Sequence, residues 1–305
     1  MTTRKPIVVV GSVTMDMVAC APEIPRTGQT VIGTSFHLTP GGKGANQAVA
    51  IARLGYPVQM IGLVGEDVYG PALLENLARE GVNTSSMAQV AGSSGLAPIF
   101  LSATGENSII VVPGANAKMS PAIVEEHRAV LVSAGMVLCQ LEIPMKTLAH
   151  TLALCDELDV PVMLDPAPAA TLEVEVLRRV AWFTPNESEA EYFLQEDCSP
   201  EQAVAQLHAR GLQGIVLKRG AAGAFVADAS GKAEYVPGFA VEAIDTVGAG
   251  DCFNGAFAVA LMEGMDTWAA ARFANAAAAL SVTGKGAQGA LPTRAQVDAL
   301  LGTSS

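Results

Sequence analysis

Residues 44–65 read "GANQAVAIARLGYPVQMIGLVG". The first half sets apolar side chains on one helical face and stops at Gly55, a glycine where helices commonly end. From Val58 to Gly65 the helical period gives way to an apolar run broken only by Gln59, the pattern of a strand buried on both faces. The same grammar extends outward. "IVVVGSV" (7–13) reads as another buried strand. "PALLENLAREG" (71–81) reads as an amphipathic helix that carries Pro71 at its start and Gly81 at its end. Further on, "GMVLCQLE" (135–142), "PVMLDPAP" (161–168), "GIVLKRG" (214–220) and "GAFVAD" (223–228) read as strands. Residues 144–158, 249–263 and 267–283 read as helices, and "WFTPNESEAEYF" (182–193) as a strand turning into a helix. Strand–helix alternation with β-branched strands predicts an α/β fold, a mostly parallel central sheet flanked by helices.

Two stretches break the alternation. Residues 17–39 and about 93–112 carry short strands and turns without helices, and a βα unit separates them. They are expected to be insertions that pair into a small antiparallel sheet, a β lid over the mouth of the site. With no low-complexity linker between them, residues 1–305 are expected to form a single domain.

Half of the 305 residues are hydrophobic, enough for a large core, and the formal net charge is −12. Such a surface repels phosphate backbones and anionic membranes, so neither nucleic acid nor a membrane is an expected partner. Five irregularly spaced cysteines without a C-x-x-C read as free thiols rather than a disulfide framework or a zinc site. The basic start "MTTRKPIVVV" has too short an apolar run for a secretory signal, and no stretch approaches a membrane span. A cytoplasmic protein is expected.

The chemistry concentrates at "DTVGAGDCFNG", residues 245–255. Gly248, Ala249 and Gly250 stand where a helix begins, so a bound phosphate can approach unpaired amides there. Asp251, in the first turn, is placed either to take a proton from an attacking hydroxyl or only to complement the helix dipole. A second glycine cluster, "TPGGKGANQA" (39–48), also opens a helix. Neither cluster fits the P-loop or the dinucleotide-binding fingerprint.

Together, "GGKGANQA" and "DTVGAGDCFNGAF" resemble the two signatures of the ribokinase-like (PfkB) carbohydrate kinase family. "GSVTMD", "PGAN", "QLE", "PAPA", "TPNESEAE", "VPGF" and "RFANAAAALSVTGKGAQ" are similar to family segments in the same order, so the resemblance spans nearly the whole chain. It implies transfer of the ATP γ-phosphate to O5 of D-ribose. By that resemblance Asp251 is the catalytic base, and Gly248, Ala249 and Gly250 form the anion hole. Thr14, Asp16, Gly42, Lys43, Asn46 and Glu142 fall on sugar-contacting positions, and Asn186, Lys218, Gly220, Gly223, Gly250 and Asn275 on nucleotide-contacting ones. Glu189 would organise Mg²⁺ through water, whereas Glu187 and Glu191 read as a solvated helix face. Asp245, Val247, Ser281, Gly284, Gly286 and Ala290 match the positions holding an activating monovalent cation, K⁺. For Asp245 the alternative is a turn carboxylate without an ion. The family also implies a homodimer formed through the lid.

Three positions depart from the family pattern. Thr14 replaces a usual Asn, Lys218 a usual hydroxyl residue, and Asn275 a usual His. The first leaves open another furanose, namely a nucleoside, fructose or deoxyribose. A catalytically silent sugar-binding sensor is the reading from a different class, and an intact Asp251 with its glycine cradle argues against it. The missing dinucleotide fingerprint argues against a nicotinamide-dependent oxidoreductase.

Overall fold

The structure is a computed structural model that describes residues 4–302. Among the described residues, thirteen strands form two sheets. They are β1 (Ile7–Val10), β2 (Thr14–Ala21), β3 (Ser35–Gly41), β4 (Val58–Gly65), β5 (Asn83–Val90), β6 (Gly95–Ser102), β7 (Asn107–Ile109), β8 (Met136–Cys139), β9 (Val162–Leu164), β10 (Trp182–Phe183), β11 (Gly214–Lys218), β12 (Gly223–Ala227) and β13 (Ala233–Pro237). The helices are α1 (Lys43–Arg53), α2 (Tyr69–Arg79), α3 (Pro121–Glu126), α4 (Arg128–Ser133), α5 (Met145–Glu157), α6 (Val174–Leu177), α7 (Glu187–Leu194), α8 (Pro200–Ala209), α9 (Ala249–Met262), α10 (Thr267–Ser281) and α11 (Arg294–Gly302).

The main sheet has the order β13-β12-β11-β10-β9-β8-β1-β4-β5. It is parallel from β5 to β11, and only β12 and β13 run against their neighbours. Because strand side chains alternate, β1 feeds two cores. Ile7 and Val9 pack with α1, α2, α9, α10 and α11, while Val8 and Val10 pack with the helices of the opposite face. All four are fully buried, which is why the run shows no polar residue.

The excursions form the second sheet, of order β3-β2-β6-β7. It corrects the expectation of an antiparallel lid, because β2 and β6 pair in parallel from Thr14/Gly95 to Ala21/Ser102. The reason lies in the main sheet. β2 follows directly from β1 and β6 follows directly from β5, and β1, β4 and β5 all run the same way. Two strands leaving one parallel sheet at the same end emerge side by side and codirectional. β5, "NTSSMAQV", was not visible as a strand, since it lies at the sheet's edge and only Ser86 in it is buried.

Asn116 pins the passage from one sheet to the other. Its Oδ1 accepts from the Val13 amide (3.0 Å) and its Nδ2 donates to the Val13 carbonyl (2.9 Å). That satisfies both backbone groups of the residue between β1 and β2, where neither ladder reaches.

Candidate active site

The carboxyl ends of β1, β8, β9 and β11 and the amino ends of α1 and α9 meet at one place, as open α/β sheets dispose their ligand sites. Two glycines make the meeting possible. Gly42 precedes α1 at φ +91°, and a Cβ there would lie 2.8 Å from the Thr14 amide nitrogen. Gly248 precedes α9 at φ +79°, and a Cβ there would lie 2.9 Å from Ala287. No other residue fits either position without moving its neighbour. The α9 amides of Gly250 and Asp251 fall in the first turn, where the helix gives them no partner.

Asp251 sits at the bottom of this cradle, 5 % exposed. Asn46 Nδ2 donates to its Oδ2 (2.9 Å) and Gln47 Nε2 to its Oδ1 (3.2 Å). Both amides are themselves held. Gln288 Nε2 donates to Asn46 Oδ1 (3.0 Å), Asn76 Nδ2 to Gln288 Oε1 (2.8 Å), and Arg79 to Asn76 Oδ1 (2.7 Å). Gln140 Nε2 donates to Gln47 Oε1 (2.7 Å). Each amide's oxygen is thus already taken, so its N–H₂ end faces the carboxylate. Burial pushes the Asp251 carboxyl up to about 6, against the pull of the nearby Lys43 charge. For Lys43, burial alone would lower the ammonium; Asp251, Asp165, Glu142 and Glu189 outweigh it and hold it above its ordinary range.

Glu142 closes the side of the site nearest α1. Its Oε2 accepts from the Ser12 hydroxyl and from the Lys43 amide (3.0 Å). Thr14 donates its hydroxyl to Asp16 Oδ1 (2.9 Å). Burial, helped by Glu142 and opposed by that hydrogen bond, brings the Asp16 carboxyl up to about 6.

Toward α7 the site is bounded by a capping box. Asn186 Oδ1 accepts from the Glu189 amide (2.8 Å) and Glu189 Oε2 from the Asn186 amide (2.7 Å). The sequence "NESE" carries this signature, and it went unread. Burial raises the Glu189 carboxyl, and Lys218 pulls it back. Glu187 pairs with Arg219 on the surface (3.0 Å).

Of the sequence-selected residues, Asp16, Lys43, Asn46, Glu142, Glu189, Lys218, Gly250 and Asp251 share this neighbourhood. Asn275 Nδ2 donates to the carbonyls of Val236 (3.0 Å) and Pro237 (3.1 Å), clipping α10 to the end of β13. Gly220 and Gly223 shape the turn between β11 and β12. Asp245 ties two loops together, accepting from the amides of Val247 (3.0 Å) and Gly286 (2.9 Å). Sequence reasoning missed Ser12, Gln47, Gln140, Asp165 and Gln288. Asp165 was visible at the end of the "VMLD" strand and Gln47 within "GGKGANQA", but uncharged glutamines and one more acid carry no motif of their own.

The chain belongs to the pfkB family of carbohydrate kinases, whose family model it matches over residues 4–294. It is 46 % identical to the ribokinase of Bacillus subtilis (strain 168), over 97 % of this chain and 99 % of that one. It is 35 % identical to the deoxyribokinase of Salmonella typhi, over 97 % and 98 %. Among solved structures it is similar to Arabidopsis thaliana ribokinase complexed with ribose and ATP, at 35 % identity and TM-score 0.93, covering 98 % and 99 % of the two chains.

Proposed function

We propose that this kinase transfers the γ-phosphoryl group of Mg-ATP to O5 of D-ribose. The observation that carries the reading is the double amide grip on Asp251 beside the first-turn amides of α9. A carboxylate fixed in this way accepts the proton of a primary hydroxyl as the oxygen attacks phosphorus. The first-turn amides of Gly250 and Asp251 are offered to the charge on the phosphoryl oxygens, while the Ala249 amide donates to the Thr246 carbonyl (3.3 Å) and holds the Gly248 turn in shape. Asp16, Lys43 and Glu142, lining the α1 side, offer acceptors and a donor to the sugar's hydroxyls. The similarity to a ribokinase seen with ribose and ATP supports the same substrates here.

One observation favours a second sugar. The Thr14 hydroxyl spends its donor on Asp16, which leaves the sugar one polar contact fewer than an amide would offer. With a deoxyribokinase among the relatives, 2-deoxyribose is the alternative acceptor. Coupled ADP release measured across ribose, 2-deoxyribose, fructose and nucleosides tests both. Ribose should have the highest kcat/KM, and a nucleoside in first place would overturn the assignment.

Bound with the nucleotide, Mg²⁺ would supply charge neutralisation at the phosphates. No trio of His, Cys, Asp or Glu placed to hold a metal exists among the described residues, so the ion would rest on phosphate oxygens and water, with Glu189 as the nearby carboxylate. For a monovalent cation the Asp245 carboxylate fits. It lies between the 245–247 loop and the Gly286 turn, and among the described residues it forms no ion pair. The backbone carbonyls of Val247, Ser281, Gly284, Gly286 and Ala290 would complete the K⁺ shell, Ala290 having no side-chain oxygen to give.

We read the chain as one domain with the four-stranded sheet as its lid. Phe36, Leu38, Phe100 and Ile109 on that sheet are exposed, and covering them with a second lid would give a homodimer. Light scattering at twice the mass of one chain is expected. No helix among the described residues is long and apolar enough to cross a membrane, and a cytoplasmic location fits this reading.

A further inference from the structure

Lys218 and Asp165 form an ion pair that the activity proposed above does not by itself require. Lys218 ends β11 and Asp165 follows β9, with β10 between them, so both side chains reach across the end of β10. Lys218 Nζ lies 2.9 Å from Asp165 Oδ1, and the two side chains are 12 % and 3 % exposed. A buried pair of this kind contributes little net stability, because desolvation offsets the Coulomb gain. Its position is more informative. A Cβ placed on Gly250 would come within 3.4 Å of the Lys218 ammonium, so the charge stands at the lip of the anion cradle. Gln47 Nε2 donates to Asp165 Oδ2 (3.0 Å) and to Asp251 Oδ1 (3.2 Å), so one amide links the pair to the base. The ammonium, the Gly250 amide and the Asp251 carboxylate therefore border one small volume.

We propose that Lys218, aimed by Asp165, is a catalytic cation that contacts the transferring phosphoryl group rather than the leaving ADP. An ammonium has three donors, and the bond to Asp165 uses one. The others are available to equatorial phosphoryl oxygens as the bond from phosphorus to the ADP oxygen breaks and that to the sugar oxygen forms. The hydroxyl proton goes to Asp251 and the bond electrons to ADP; Lys218 supplies charge and no proton. Charge fixed in advance at such a point acts on the transition state more than on the bound nucleotide. Asp165 is a positioning residue, because it acts through its bond to Lys218.

The inference rests on the kinase reading, so its test includes an arm that needs no sugar. In turnover, Lys218→Met should lower kcat about 10²-fold with the sugar KM within threefold of wild type, the size expected for losing one oxyanion donor. Lys218→Arg should retain part of the rate, and Asp165→Asn should lose about tenfold, on the principle that misplacing a catalytic group by a fraction of an ångström costs rate. Binding of ADP with aluminium fluoride, measured by calorimetry, should weaken in Lys218→Met in parallel with kcat, while ADP alone binds as in wild type. Should the single variant fail to fold, Lys218→Met/Asp165→Asn leaves no unpaired charge and serves for the same measurements. Equal weakening of ADP and of the ADP–fluoride complex, or kcat within threefold of wild type, would overturn the proposal. A wild-type protein inactive on every sugar but losing fluoride-complex affinity on Lys218→Met would sink the substrate and spare the cation.

Discussion

Asn46 Nδ2 lies 2.9 Å from Asp251 Oδ2, and the Asn46 oxygen that competes for that position is occupied by Gln288. The Asp251 carboxylate is thus oriented from a distance. The chain of donors runs from Arg79 on α2 through Asn76 and Gln288 to Asn46, and Gln288 belongs to the loop that also carries Gly284 and Gly286.

Asp251→Ala should cut turnover roughly 10²–10⁴-fold, the usual worth of a positioned general base. Gln288→Ala should cost less, about tenfold, because Asn46 stays in place but loses the bond that fixes its flip. Steady-state kcat with ATP and ribose checks both. A Gln288→Ala enzyme as impaired as Asp251→Ala would mean that Gln288 does more than orient Asn46.

Activity and stability should respond to pH in opposite directions. Asp251 must be ionised to act, so kcat/KM should fall as pH drops through about 6. For folding the sign reverses. Asp16 and Asp251 have raised carboxyls in the folded state, so their stabilising contribution is full below the unfolded value near 3.8 and is lost as pH rises through about 6. Thermal melts of the ligand-free protein should show these two groups adding stability between pH 7 and pH 4. A profile that falls steeply over the whole of that range would contradict the buried-carboxylate account.

Rates in K⁺ should exceed those in a large organic cation that cannot enter between the 245–247 loop and the Gly286 turn. Asp245→Asn keeps the hydrogen-bond acceptor on one side but removes the charge, and the difference between cations should shrink in it. Equal wild-type rates in both salts would remove the ion site.

Gly248→Ala should destabilise the protein by at least about 1–2 kcal/mol, the cost of placing a side chain in the left-handed region. The added contact with Ala287 should also shift the start of α9 and lower kcat. Urea unfolding and turnover measured on the same preparation would separate the two effects.

The alternation of apolar runs and amphipathic segments was enough to read the α/β architecture, because a strand covered on both faces reads as a near-continuous apolar run, as Ile7–Val10 shows. The amino ends of α1 and α9 were legible for a similar local reason. Gly42 and Gly248 need backbone conformations that only glycine adopts easily. Element boundaries followed within a residue or two at α5 and α9, whereas the edge strand β5 and the clip made by Asn275 did not announce themselves.

What the chain fixed locally was each cradle and each acidic side chain beside it. Only folding decided which of those acids sit together. Asp165 and Lys218 are 53 residues apart in sequence and Gln47 and Asp251 are 204 apart, yet their bonds join in one buried cluster. Hydrogen bonds between side chains depend on where strands and helices end in space, and no periodicity along a sequence encodes that. The parallel pairing of β2 with β6 has the same origin, since strand direction in the lid is inherited from the sheet beneath it.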